Sequence, residues 1–166
     1  MIEFYHLGKD AFEKHANSLF SILFDNMSRI APTGNSYEDD YKFWFQAMKA
    51  ELENENRRII IIKEASQEIV GYFQYSVQEN VFIMEEIQIK AEYQGKYNIF
   101  KRLYGFALEN MREDVDWVEA YANKKNVKSI GILGKLGLSI VGENKTGTSY
   151  HFRGSYADLL NWYKGN

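Results

Sequence analysis

Glu85-Glu86-Ile87-Gln88-Ile89-Lys90-Ala91-Glu92-Tyr93-Gln94-Gly95-Lys96-Tyr97-Asn98-Ile99 is the stretch whose reading decides the fold. Up to Ile89 it continues an apolar strand that begins at Val81. A short polar loop around Gly95 follows. From Ile99 onward Leu103, Phe106, Ala107 and Met111 recur at helical spacing. A strand therefore runs through a loop directly into an amphipathic helix. The first N–H groups of such a helix lack partners within it, so they suit an anion such as phosphate. Lys96, Lys101 and Arg102 place cationic side chains in the same turns. Positive charge is unfavourable at this end of a helix dipole, and an anionic ligand would explain its presence; an ordinary solvated loop is the alternative.

Working outward toward the N-terminus, Ile59-Ile60-Ile61-Ile62 is β-branched throughout and predicts a buried strand. Ile69 to Val77 and Val81 to Ile89 continue the β reading. Ser66-Gln67 forms the first turn, and Gln78-Glu79-Asn80 the second, with Asn80 suited to a left-handed position. Ile2 to Leu7 reads as an opening strand. Phe12, Ala16, Leu19, Phe20, Leu23 and Met27 draw one apolar helix stripe, with Asp10 near its start. After the loop at Ala31-Pro32-Thr33-Gly34-Asn35, Ser36 and Asp39 resemble a capping box. The helix that follows carries Tyr41, Trp44, Phe45, Met48 and Leu52 on one side.

Toward the C-terminus, Trp117 to Ala122 is a strand, and Val127 to Leu136 a helix ended by Gly137. Leu138 to Val141 and Thr148 to Phe152 form a last pair of strands. Tyr156, Leu159, Leu160 and Tyr163 belong to a closing helix. Strands and helices in this mixed order predict one α/β sheet with helices on both faces, in a single domain over 1–166. Gly131 and Gly134 each cost a helix interior roughly 1 kcal/mol. Close packing against the sheet and room for a ligand both account for them.

Composition narrows the function. The 166 residues carry 20 basic and 23 acidic side chains, a formal net charge of −3, which argues against a nucleic-acid partner. Absence of cysteine excludes disulfides, thiolate zinc sites and cysteine nucleophiles. Neither a signal peptide nor an apolar run of ~20 residues is visible, so a cytoplasmic protein with no membrane partner is expected. P-loop and hydrolase-elbow motifs are missing. His6, His15 and His151 show no metal-ligand spacing, so no metal is expected.

Ile87-x-Ile89, then Glu92-Tyr93-Gln94-Gly95-Lys96, then a helix, resembles the acyl-CoA-binding motif of the GNAT acetyltransferase superfamily. Asn126-x-x-Ser129-Ile130-x-Ile132-x-x-Lys135-Leu136-Gly137-Leu138 is similar to a second block of that family. In element order the resemblance covers nearly the whole chain. It implies a mixed, mostly antiparallel sheet, and acetyl-CoA as co-substrate of an N-acetyltransferase. A primary amine of a small molecule or peptide would attack the thioester directly. Ile87, Ile89, Gln94, Gly95, Lys96, Tyr97, Asn98, Ile99 and Asn126 would contact the cofactor. Tyr97 and Ile99 stand where the family has small residues. Leu133 stands where it often places the tyrosine that protonates the departing thiolate.

The same resemblance calls for a base, and the strand offers Glu85 and Glu86. Strict alternation would set Glu85 among Ile83, Ile87 and Ile89, where desolvation raises its pKa, so Glu85 is the preferred candidate. Tyr150 and His151 are the fallback. The family builds the acceptor wall from its early helices, so Tyr37, Tyr41 and Trp44 are candidates there, although such a stripe also reads as core. Glu38-Asp39-Asp40 either complements a helix dipole or attracts a cationic amine. The alternative function is a catalytically weak or inactive regulatory module that binds acyl-CoA or a protein. Monomer and homodimer both remain open.

Overall fold

Residues 1–165 are described by the computed structural model. Among them the chain forms, in order, β1 (Ile2–Leu7), α1 (Phe12–Ile30), α2 (Tyr37–Glu51), β2 (Arg57–Glu64), β3 (Ile69–Gln78) and β4 (Val81–Ile89). Then come α3 (Ile99–Glu109), β5 (Trp117–Asn123), α4 (Val127–Lys135), β6 (Ser139–Glu143), β7 (Ser149–Ser155) and α5 (Tyr156–Lys164). This is the predicted order. The strands make one sheet, β1-β2-β3-β4-β5-β7-β6, antiparallel throughout except where β4 meets β5. That parallel pair needs a crossover, which α3 supplies. No helix among the described residues is long and apolar enough to cross a membrane.

The isoleucine run explains the layering. Ile60 and Ile62 join the core beneath α3, α4 and α5, while Ile59 and Ile61 join a second core beneath α1 and α2. Adjacent residues of a strand face opposite ways, so one apolar run serves two layers. Each buried isoleucine contributes about 1.5–3 kcal/mol. On α1 the buried line runs through Phe12, Ala16, Leu19, Ile22 and Asn26, so Ile22 takes the place expected for Leu23. Phe20 lies 5.2 Å from Trp44 and 5.5 Å from Tyr41 between ring centroids, and the Tyr37 hydroxyl donates to Asn17 Oδ1 at 2.8 Å. The aromatic stripe of α2 therefore clamps the two helices together.

Local signals mostly hold. Ser36 Oγ accepts the Asp39 N–H at 3.2 Å, and Gly137 ends α4 at φ 95°. Asp40 of the acidic run accepts from Thr33 and Asn35, which pins the loop before α2. The second hairpin differs: Glu79, not Asn80, is left-handed at φ 55°. Asn80 is held in place instead, because its side chain donates to Asp116 at 2.9 Å and its carbonyl receives the Asp116 and Trp117 N–H groups.

Two irregularities shape the centre of the sheet. β4 and β5 pair only from Val81–Trp117 to Met84–Ala120, and beyond that point they are no longer partners. Between β3 and β4 the register steps from Tyr75–Met84 to Gln74–Glu86, leaving Glu85 as an extra residue. Such a bulge bends its strand and strengthens the twist, which here turns the end of β4 away from β5.

Candidate active site

The loop after β4 makes a 3₁₀ turn at Ala91–Tyr93 and passes through left-handed conformations at Gly95 (φ 74°), Tyr97 (φ 58°) and Asn98 (φ 54°). Among the described residues, the N–H groups of Gly95, Tyr97 and Asn98 have no acceptor. A side chain added at Gly95 would meet nothing within 4 Å. Ile99 is buried in the core and the exposed Tyr97 ring leans over Tyr93 at 6.1 Å, so neither bulky residue fills the turn. The expected cations part company. Lys96 is exposed beside the loop, Arg102 ties the turn to β1 by donating to the Tyr97 carbonyl at 3.3 Å and the Ile2 carbonyl at 2.9 Å, and Lys101 lies over the Trp162 ring. Lys128, which the sequence reading passed over, approaches instead from the first turn of α4 and donates to Gln94 Oε1 at 3.2 Å.

Along β4, Lys90 donates its N–H to Val70, which sets the alternation of the ladder. Main-chain groups of Ile87 and Ile89 consequently face the edge left open by β5. The Ile89 carbonyl accepts two side-chain amides there, from Gln94 at 2.8 Å and from Asn26 of α1 at 3.0 Å. Asn126 is used locally: its side chain caps α4 by accepting the Ser129 N–H at 3.1 Å.

The bulge corrects the expected environment of Glu85. It is not set among isoleucines but bonds the Arg57 guanidinium through both carboxylate oxygens, one contact measuring 2.7 Å. Glu86 shares the α1/α2 side of the sheet with Gln88 and has no ion-pair partner among the described residues. Burial raises its pKa from 4.5 to about 7; a hydrogen bond from Gln88 opposes this and the neighbouring Glu85 charge adds to it. Close by, the fully buried Tyr72 hydroxyl has no hydrogen-bond partner in the described chain and feels the Glu86 charge. Tyr150 and His151 point to opposite faces of β7. His151 stacks on Tyr121 at 4.6 Å and bonds Glu119 at 2.9 Å, whereas Tyr150 packs toward the α3 core. Neither touches Glu86. No group of acids and histidines able to hold a metal occurs among the described residues.

On α4, Leu133 is buried, so the position where the family often has a tyrosine is spent on the core. Gly131 and Gly134 are exposed, and an added Cβ at either would meet nothing within 4 Å. Tight packing against the sheet is therefore not their reason. Gly131→Ala and Gly134→Ala are each expected to stabilise the fold by about 0.5–1 kcal/mol. Urea unfolding checks this, and a lower midpoint would reveal a contact at that face.

With the parting of β4 from β5 and the turn after β4 in place, the fold can be set beside known ones. No protein-family model matches the chain, and no curated protein matches it. Solved structures do. The PaiA N-acetyltransferase of Thermoplasma acidophilum, solved with coenzyme A, superposes with a TM-score of 0.73 at 16% identity, over 94% of this chain and 99% of its own. An acetyltransferase of Thermus thermophilus gives 0.70 at 14% identity, over 93% and 97%. Spermidine N-acetyltransferase of Vibrio cholerae, solved with CoA and spermine, gives 0.61 at 12% identity, over 96% and 98%. The chain has the fold of the GNAT acetyltransferases.

Proposed function

We propose that this chain is an acetyl-CoA-dependent N-acetyltransferase acting on a primary amine of a small molecule or peptide. One observation carries the reading. The parting of β4 from β5 opens a strand edge between the unpartnered amides of the 95–98 turn and a carboxyl group poised near neutrality. The coenzyme A held by the Thermoplasma neighbour and the spermine held by the Vibrio one support the pairing of these two sites.

Residues present suit the donor. The amides of Gly95, Tyr97 and Asn98, with Lys96 and Lys128 beside them, offer a cradle for a diphosphate. The edge groups of Ile87 and the N–H of Ile89 can pair with the amide groups of a pantetheine arm, and the open surface at Gly131 and Gly134 leaves it room. When bound, acetyl-CoA supplies an electrophilic thioester carbonyl. Glu86, not Glu85, takes the proton that an ammonium must lose before its nitrogen can attack. Glu85 is held by Arg57 and shapes the floor. Main-chain N–H groups on the open edge of β4 face the developing oxyanion charge. With Leu133 in the core, the leaving thiolate departs without a tyrosine donor from α4, which its pKa of ~8.5 permits.

Calorimetric titration with acetyl-CoA, followed by thiol release over a panel of primary amines and peptides, tests this. Saturable binding and turnover of at least one amine are expected. Binding without turnover would favour the regulatory alternative, and absence of binding would count against both.

A further inference from the structure

Tyr97 and Asn98 both lie in the left-handed region, at φ 58° and 54°. Residues with a Cβ adopt that region at a cost, so two in succession persist only where neighbouring groups hold them. Arg102, in the first turn of α3, supplies the hold. Its main-chain N–H donates to the Asn98 carbonyl at 3.1 Å, and its side-chain Nη1 donates to the Tyr97 carbonyl at 3.3 Å. The other branch, Nη2, donates to the Ile2 carbonyl of β1 at 2.9 Å, and the guanidinium carbon lies over the Phe4 ring, 5.4 Å from its centroid. A rigid planar fork thus spans the turn and the strand beside it.

This hold reaches the cradle through one peptide plane. In a trans peptide the carbonyl of one residue and the N–H of the next point in opposite directions. Drawing the Tyr97 carbonyl toward Arg102 and β1 therefore turns the Asn98 N–H away from them, and that N–H is one of the amides with no acceptor among the described residues. We propose that Arg102 is a positioning residue for the cofactor: by bonding the Tyr97 and Ile2 carbonyls through one guanidinium, it fixes the Tyr97–Asn98 peptide with its N–H toward the diphosphate. The inference deepens the proposed function, because it rests on the 95–98 turn being the diphosphate cradle. Its charge faces carbonyls, which leaves Lys96 and Lys128 as the cations beside the anion.

The experiment compares full-length wild type with Arg102→Met and Arg102→Leu, which remove the donors and keep apolar contact with Phe4. By calorimetry both variants are expected to bind acetyl-CoA about 10-fold more weakly, the worth of one hydrogen bond to a charged group. The factor should be the same at low and high salt, because an amide's orientation is not screened as a charge is. The ratio of kcat/KM for acetyl-CoA to that for S-acetylpantetheine, which has no diphosphate, should fall by the same factor. In ¹⁵N–¹H spectra the Asn98 amide should shift when coenzyme A is added to wild type, and this response should be lost in both variants. Unchanged affinity, a loss that vanishes at high salt, or an equal fall with both donors would overturn the positioning role. Arg102 is exposed, and two replacements of different shape guard against a fold lost at this position. The binding and spectral arms need no turnover, so they decide the matter for an inactive chain as well. The two ideas fail distinguishably. If wild type binds no coenzyme A, the acetyltransferase reading falls and the cradle with it; if wild type binds and both variants bind equally well, only the role of Arg102 falls.

Discussion

Glu86→Gln is expected to lower kcat/KM by about 10²–10⁴-fold, the usual worth of a positioned general base. Affinity for coenzyme A should be unchanged, because Glu86 lies on the α1/α2 side and the cradle amides belong to the loop beyond the strand. Wild-type kcat/KM should rise with pH through a midpoint of about 7, as the carboxyl loses its proton. That limb should disappear in the variant. Stability should move the other way. Folding raises the pKa of this group, so the folded chain takes up a proton between pH 7 and 4.5 that the unfolded chain does not. Wild-type stability therefore falls as pH rises through that window. Above pH 7 the neutral glutamine escapes the cost of a desolvated charge, and Glu86→Gln should melt at a higher temperature than wild type. Below pH 4.5 the two should converge. A variant that keeps its rate and its limb would remove Glu86 from the mechanism.

Gly71→Val is expected to produce the largest loss of stability, about 3 kcal/mol or more. Gly71 lies opposite Ile89 where β3 supports the end of β4. A Cβ there would stand 2.7 Å from the Gln88 carbonyl oxygen, 2.9 Å from Ile62 Cδ1 and 3.3 Å from Ile89 Cα. Two of these are main-chain atoms and cannot swing aside as a long side chain can. The strand that carries Glu86, Gln88 and Ile89 must shift, so weaker coenzyme A binding should accompany the lower melting temperature. Thermal unfolding and calorimetry check the pair of effects. An unchanged melting temperature would mean that β4 has slack at this point.

How far the site was legible can be followed residue by residue. The loop around Gly95 was readable because glycine, lysines and the change from strand to helix all lie within a few positions of one another. Gly131 and Gly134 were visible as anomalies, but whether they met the sheet or open space could not be read from spacing. Glu85 and Glu86 were both singled out, but alternation gave the desolvated position to Glu85, whereas burial raises the pKa of Glu86 and Arg57 holds Glu85. Alternation assumes an unbroken ladder, and the bulge that breaks it arises from how β3 and β4 pair across the hairpin. Asn26 carried a usable signal, a polar residue on a helix's buried line. Lys128 carried none that set it apart from its lysine neighbours at positions 124 and 125.

The amino-acid order alone determined the succession of strands and helices, the helix caps and the two-sided burial of the isoleucine strand. These follow from interactions between residues close in the chain, where side-chain periodicity and turn chemistry act directly. Tertiary structure alone decided which carboxylate is paired and which is left near neutrality, where β4 leaves β5, and which side chains reach the open edge. Those outcomes depend on groups far apart in sequence, such as Arg57 with Glu85 and Asn26 with Ile89, whose meeting is set by sheet register rather than by local pattern.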